Sequence, residues 1–283
     1  ITLLRPSYGI LIGIDTLLDK IYRYYSHANI TLHCRDYLKP ILKNSYKTFP
    51  INNINTGTPC LFINGRVILS EELIELFSTI DKKHNFLFLY QGQIVAAYLR
   101  GELLDFMKAA LNTIPDSKDL IQYLRPKSIT KELEEVPIIT NLWDIFTYNQ
   151  ETLIQDFHYK NQPGIIKGDV KPFSAIYNEN NVFIDKNTVI EDFVTINAEN
   201  GPVFIEKNAY IQSHSRIEGP AFIGENTHIL GGKIRESSIG PNCKISGEIN
   251  KTVFQGNSNK AHGGFIGDSY IGEWVNLGAY TTT

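Results

Sequence analysis

Aliphatic residues in the second half of this 283-residue chain recur every six positions. Ile184, Ile190 and Ile196 set the step, and after a short insertion Ile205, Ile211, Ile217, Ile223 and Ile229 keep it. Ile239 and Ile245 resume it, and Ile271 and Leu277 close the run. An α-helix would need apolar recurrence near 3.6 and a half-buried strand near 2, so neither produces this pattern. A six-residue period fits a parallel β-helix, three flat sides making a coil of about eighteen residues with one aliphatic side chain turned inward from each. The residue after the aliphatic one is often small or polar (Gly224, Gly240, Ser246, Gly272, Gly278), as a corner requires.

The first half has a different grammar. Residues 1–125 alternate short β-rich and helical patterns and predict an α/β domain. Asp15 is placed to cap a helix carrying Leu17, Leu18, Ile21 and Tyr24. Residues 29–34 predict a strand, followed by a helix over 37–42 that Pro40 kinks or splits. Residues 59–63 and 66–69 predict a tight hairpin around Asn64-Gly65, and Ser70 caps the next helix. Residues 86–90 and 93–99 flank a Gln91-Gly92 turn, and 102–111 is amphipathic. Residues 126–172 predict a linker: prolines and charges over 125–137, a bridging helix over 141–158, and a loop rich in Pro and Gly over 161–173. The helix would turn Leu142, Ile145, Phe146, Leu153, Ile154 and Phe157 to one side, packing the first domain against the start of the solenoid. The solenoid itself occupies 173–283.

Composition narrows the function classes. A net charge of -3 offers no basic field for nucleic acid. No apolar stretch approaches 18 residues, so no membrane partner is indicated. Cys34, Cys60 and Cys243 are odd in number and far apart, which predicts a reduced cytoplasmic protein without a zinc site. The chain opens on Ile1 and stops on Thr281-Thr282-Thr283 in mid-coil, so both ends of the natural protein are expected to lie further out.

The six-residue rhythm breaks between Glu248 and Phe265, where Asn250, Lys251, Gln255, Asn257, Ser258, Asn259, Lys260 and His262 crowd together. Polar residues gathered where a rigid scaffold is interrupted are what a binding site looks like. They are also what a soluble corner looks like. His262 is the group there that titrates near neutrality, so it is either a proton acceptor or one surface histidine among seven. As a base it would need its second nitrogen oriented, and Glu248 is the candidate. Lys251 and Lys260 are candidates to hold a phosphate or a pantetheine-phosphate carrier. No D-x-D or other convincing metal set is visible.

The stretch from Asn259 to Ala279, NKAHGGFIGDSYIGEWVNLGA, closely resembles the acetyltransferase signature of bifunctional UDP-N-acetylglucosamine pyrophosphorylases. More widely the chain is similar to a GlmU-related family of sugar nucleotidyltransferases. It shares Leu4-Arg5-Pro6, Leu61-Phe62-Ile63-Asn64-Gly65-Arg66, Leu142-Trp143-Asp144-Ile145-Phe146 and Asn200-Gly201-Pro202 with them. The resemblance implies a Rossmann-like α/β nucleotidyltransferase domain followed by a left-handed parallel β-helix that assembles as a homotrimer. It implies acetyl-CoA as co-substrate, Mg2+ for the nucleotidyl half, and a sugar phosphate and a nucleoside triphosphate as partners.

Carried over by motif, His262 matches the family's general base, Asn276 a sugar-phosphate contact, and Ala279 a position whose backbone meets acetyl-CoA. Asn250, with Lys251 beside it, stands where the family carries a sugar-phosphate lysine, and Phe265 replaces a tyrosine. The family's upstream arginine has no fixed match in this chain, and Lys233 and Arg235 are the nearby candidates. Arg5 is a phosphate contact or a strand-edge arginine, and Asn64-Gly65 a nucleotide contact or a plain turn. The Gly-rich phosphate loop would precede Ile1. Gly9 and Leu11 stand where relatives carry an acidic residue and an arginine. Three functions remain open: a nucleotidyltransferase and acetyl-CoA-dependent N-acetyltransferase, a nucleotidyltransferase whose solenoid only assembles the oligomer, and a non-catalytic regulatory relative.

Overall fold

In the computed structural model the chain forms two compact units, Ile1–Gly9 with Leu17–Ile138, and Ile10–Thr16 with Ile139–Thr283. The structure describes residues 3–55, 57–113 and 116–283, so Ile1 lies outside it.

The first unit is built on a mixed four-stranded sheet in the order Cys60–Ile63, Gln93–Leu99, Phe86–Tyr90, Ile129–Glu132. Phe86 and Phe88 enter one core cluster with Leu73, Phe77 and Val95. Leu87 and Leu89 enter the opposite one with Leu99, Leu104 and Met107. A strand apolar at every position is thus a strand covered on both faces. Gln91 (φ 47°) and Gly92 (φ 71°) supply the left-handed pair that a tight hairpin turn needs. Ser70 caps the helix Glu71–Ser78 by accepting from the Leu73 N–H at 3.4 Å.

Other expectations for this unit are corrected. Cys60–Ile63 does not fold back on residues 66–69; it pairs antiparallel with Gln93–Leu99. Asn64 satisfies the turn locally, accepting from the Arg66 N–H at 3.1 Å and donating to the Ile94 carbonyl at 2.8 Å. Val67 is therefore free to bridge Ile138. The stretch read as a linker contributes Ile129–Glu132, parallel to Phe86–Tyr90. Residues 29–34 make only an isolated bridge, Leu32 to Ile51. Pro40 sits in the first turn of the helix Lys39–Ser45, where its missing N–H costs nothing.

The second unit is a three-sided parallel β-helix. One wall has six strands, from Asp169–Val170 to Asn259–Lys260; the other two walls share the long strand Glu248–Phe254. Ile184, Ile205, Ile223 and Ile239 stack inside one wall, as do Ile190, Ile211, Ile229 and Ile245 inside another. All are fully buried, each contributing about 1.5–3 kcal/mol by leaving water.

One corner keeps its place in every coil. Asn187, Asn208, Asn226, Asn242 and Asn257 all adopt left-handed backbone, φ 50–60°. Their side-chain amides donate upward in a ladder at 3.0–3.2 Å. Coils counted along this ladder shorten from 21 residues to 18, 16 and 15. A strict eighteen is thus an average, and the other corners absorb the difference.

On the outer face of the wall that stacks Ile184, Ile205 and Ile223, Phe183, Phe204 and Phe222 point outward yet stay buried, because helix Leu142–Lys160 covers them; the Phe157 ring meets Phe204 edge-on. The helix extends past the early coils to the strands Glu248–Phe254 and Phe265–Ile271. Its buried face carries Asn149 and Asp156 beside Ile145, Leu153 and Phe157, while Leu142 is exposed. Those polar groups hold a hairpin, Leu11–Ile12 with Asp15–Thr16, that the pattern had placed in the α/β domain. Gly13 N–H donates to Asn149 Oδ1 and Ile14 N–H to Asp156 Oδ2, each at 2.8 Å. Leu11 N–H donates to Gln255 Oε1 at 2.9 Å. Asp15, expected as a helix cap, pairs with Lys160 at 3.0 Å.

Candidate active site

The polar stretch that looked like a breach is continuous wall. Strands Glu248–Phe254, Asn259–Lys260 and Phe265–Ile271 pair in register with the coils beside them. The rhythm is hidden because Phe254 and Lys260 occupy inward slots held by isoleucine in the coils below.

Lys260 is consequently no ligand for an external anion. It is fully buried, and its Nζ donates to the carbonyls of His262 (2.7 Å), Ser246 (3.0 Å) and Gly263 (3.2 Å). Its role as a cofactor contact is withdrawn. Strand alternation is the reason: with a period of two, a side chain's face follows from register rather than from its charge.

His262 sits on the exposed bend between Asn259–Lys260 and Phe265–Ile271. Among the described residues nothing hydrogen-bonds its ring. Glu248, the expected orienting partner, instead faces Arg235 at 3.5 Å. The strand that follows carries Phe265 opposite Glu248 and Gly267 opposite Asn250. The Phe265 ring lies over Gly267, where a Cβ would meet it at 2.6 Å. Phe265 thus lines the wall beside Asn250 only because position 267 has no side chain.

Outward rows of this wall are strongly charged. One row runs Arg216, Lys233, Glu248, Phe265 and the next Glu218, Arg235, Asn250, Gly267. Glu218 meets Arg216 at 2.5 Å and Lys233 at 3.2 Å. Burial pushes the Glu218 carboxyl up, but those two cations outweigh it and leave it below the usual range. Lys233 is thereby engaged, and register sets Arg235 rather than Lys233 beside Asn250. Arg235 Nε and Asn250 Oδ1 are both buried without a hydrogen-bond partner among the described residues. A donor and an acceptor left unsatisfied on adjacent strands cost stability unless a ligand or water completes them.

The remaining candidates are more dispersed. Lys251, at φ 47°, turns its Nζ toward Asp268 at 3.6 Å. Asn276 is exposed and accepts from Asn259 Nδ2 at 2.6 Å, and Ala279 is exposed in the last coil. Arg5 lies in the first unit, half-buried ahead of the turn Ser7–Gly9. Leu11 is buried in the solenoid unit. Among the described residues no three His, Cys, Asp or Glu side chains converge as a cation set, so the expected Mg2+ has no assigned ligands. No helix of the described residues is long and apolar enough to cross a membrane.

Sequence reasoning missed the hairpin 11–16 and the asparagine ladder. The ladder had a signal, an Asn three residues after the inward Ile or Phe in five successive coils, as in Ile223 and Asn226. The hairpin had none.

Comparison with known proteins adds to this picture. Residues 1–162 match the family described as sugar nucleotidyl transferase. The chain is 28% identical over 235 residues to the bifunctional protein GlmU of Thermodesulfovibrio yellowstonii, covering 78% of this chain and 47% of that protein. It is 37% identical over 75 residues to GlmU of Picosynechococcus sp., covering 26% of this chain and 16% of that protein. Over 73 residues it is 36% identical to GlmU of Rippkaea orientalis, covering 25% and 15% respectively. The chain therefore spans at most about half the length of these relatives.

Proposed function

We infer what this protein does from its kinship: the chain belongs to the sugar nucleotidyl transferase family. It acts in the synthesis of an activated amino sugar of the UDP-N-acetylglucosamine type, in the cytoplasm, as a homotrimer. The first unit transfers a nucleotidyl group from a nucleoside triphosphate to a sugar 1-phosphate, releasing pyrophosphate, with Arg5 as a phosphate contact. The β-helix acetylates the amino sugar phosphate from acetyl-CoA.

In the acetyl transfer the amine nitrogen attacks the thioester carbonyl carbon. The C–N bond forms while His262 takes a proton from the nitrogen; the C–S bond then breaks and the thiolate receives that proton. Asn250, Arg235 and Phe265 on the adjacent wall, with Lys251 and Asn276, hold the sugar phosphate, and Ala279 offers its backbone to acetyl-CoA. One observation carries this reading: an exposed imidazole, unpaired among the described residues, stands on the bend leading into a wall where Arg235 Nε and Asn250 Oδ1 have no partner among those residues either.

A second reading, a nucleotidyltransferase whose β-helix serves assembly alone, keeps the activity of the family matched over residues 1–162. Both are tested by giving the protein acetyl-CoA and glucosamine 1-phosphate and measuring free thiol, then giving it UTP and a sugar 1-phosphate and measuring pyrophosphate. Thiol release that falls at least ~100-fold in His262→Ala is expected. Pyrophosphate without thiol supports the second reading, and silence in both assays overturns both.

A further inference from the structure

The geometry points to Lys260 as the positioning residue of the imidazole loop, an inference that rests on His262 being the base. In the five lower coils the same inward slot holds Val170, Ile190, Ile211, Ile229 and Ile245. Coil stacking therefore does not call for a cation here. Burying an ammonium without a carboxylate is far costlier than burying an isoleucine.

Something specific must offset that cost, and the amine's surroundings identify it. An ammonium has three N–H donors and no acceptor. Three carbonyl oxygens meet it, from Ser246, His262 and Gly263. A neutral amine would turn its lone pair on one of them, so the set is complete only in the charged form. Burial pulls the Lys260 pKa below its ordinary value, while the three converging dipoles favour the cation. Gly263 also receives the Tyr280 N–H at 2.9 Å. Among the described residues the Ser246 and His262 carbonyls have no donor but Lys260.

Lys260 thus ties the His262 peptide to the corner of the coil beneath, from inside the prism, while the ring projects outside. Fixing the main chain fixes the Cα–Cβ direction and narrows the arc the imidazole can sweep. A catalytic histidine is commonly oriented through its second nitrogen by a carboxylate or carbonyl. Here Glu248 is occupied by Arg235, and orientation comes through the backbone instead. Gly264, at φ 125°, gives the chain the bend that brings successive carbonyls onto one amine.

The test uses the full chain with Lys260→Met, which keeps length and removes all three donors, and Lys260→Gln, which keeps an amide donor. Acetyl transfer from acetyl-CoA to glucosamine 1-phosphate is measured alongside amide hydrogen exchange over residues 261–264. Lys260→Met is expected to lower kcat ~30–100-fold with both KM values within ~3-fold, and to speed exchange in that loop alone. Lys260→Gln should fall between, and carries the test by itself if Lys260→Met does not fold. Unchanged kcat with a protected loop overturns the inference, as does a rise in KM at constant kcat, which would make Lys260 a ligand contact. Should His262→Ala retain full turnover, the base reading fails separately, and loop exchange alone decides whether Lys260 holds the bend.

Discussion

Replacing Asn226 tests what holds the solenoid's constant corner. Its backbone is left-handed at φ 57°, and its side chain accepts from Asn208 Nδ2 at 3.1 Å and donates to Asn242 Oδ1 at 3.2 Å. These bonds are exposed, so together they contribute about 1 kcal/mol. Asn226→Ala loses them and forces a Cβ-bearing residue without a local hydrogen bond into left-handed backbone, a further ~1–2 kcal/mol. Asn226→Gly loses the same bonds but fits the backbone, adding only ~0.5–1 kcal/mol of chain entropy. Alanine should therefore cost about 2–3 kcal/mol and glycine about 1.5–2. That order reverses the one found in ordinary strands and helices, where glycine is the worse residue. Urea unfolding followed by circular dichroism measures both, with the m-value checked for two-state behaviour because coils contact only their neighbours. If Asn226→Gly proves as destabilising as Asn226→Ala, backbone conformation is not what selects asparagine here.

Two further outcomes follow from named contacts. A Cβ on Gly240 would lie 2.4 Å from the Gln255 carbonyl oxygen, which is backbone of the next coil, whereas one on Gly267 meets the movable end of the Phe265 ring. Gly240→Ala should cost at least ~2 kcal/mol in thermal unfolding and Gly267→Ala less than ~1 kcal/mol; equal costs would contradict the stacking described. The Glu206 carboxyl is raised by burial, against the Glu225 N–H that it accepts and the nearby Lys160. A carboxyl with a raised folded pKa binds its proton more tightly in the native state, so stability falls as pH rises through the window just above its ordinary value. Glu206→Gln keeps the acceptor oxygen and should be more stable than the parent at pH 7 and no more stable at pH 4; the reverse pattern in urea midpoints would refute it.

The parts of this molecule that sequence pattern determined are those whose partners lie one repeat away. In a solenoid each coil packs on the next, so the inward isoleucines declare the fold by spacing alone. The hairpin of Phe86–Tyr90 with Gln93–Leu99 was legible for the same reason, its turn and both strands being contiguous. His262 was legible as a candidate through its motif, and its exposure is consistent with that role.

Tertiary structure decided everything that depended on a distant partner or on which way a side chain faced. Residues 10–16 carry no mark of the solenoid, yet Asn149 and Asp156, more than a hundred positions later, satisfy their backbone. Cys60–Ile63 found its partner across the sheet because Asn64 closed its own turn. Lys260 and Lys251 look alike in the chain. Register turned one into the prism, where three carbonyls could neutralise the cost of burying a cation, and left the other on the surface beside Asp268. Charge says what a residue can bind, but only the register of the coil says what it meets.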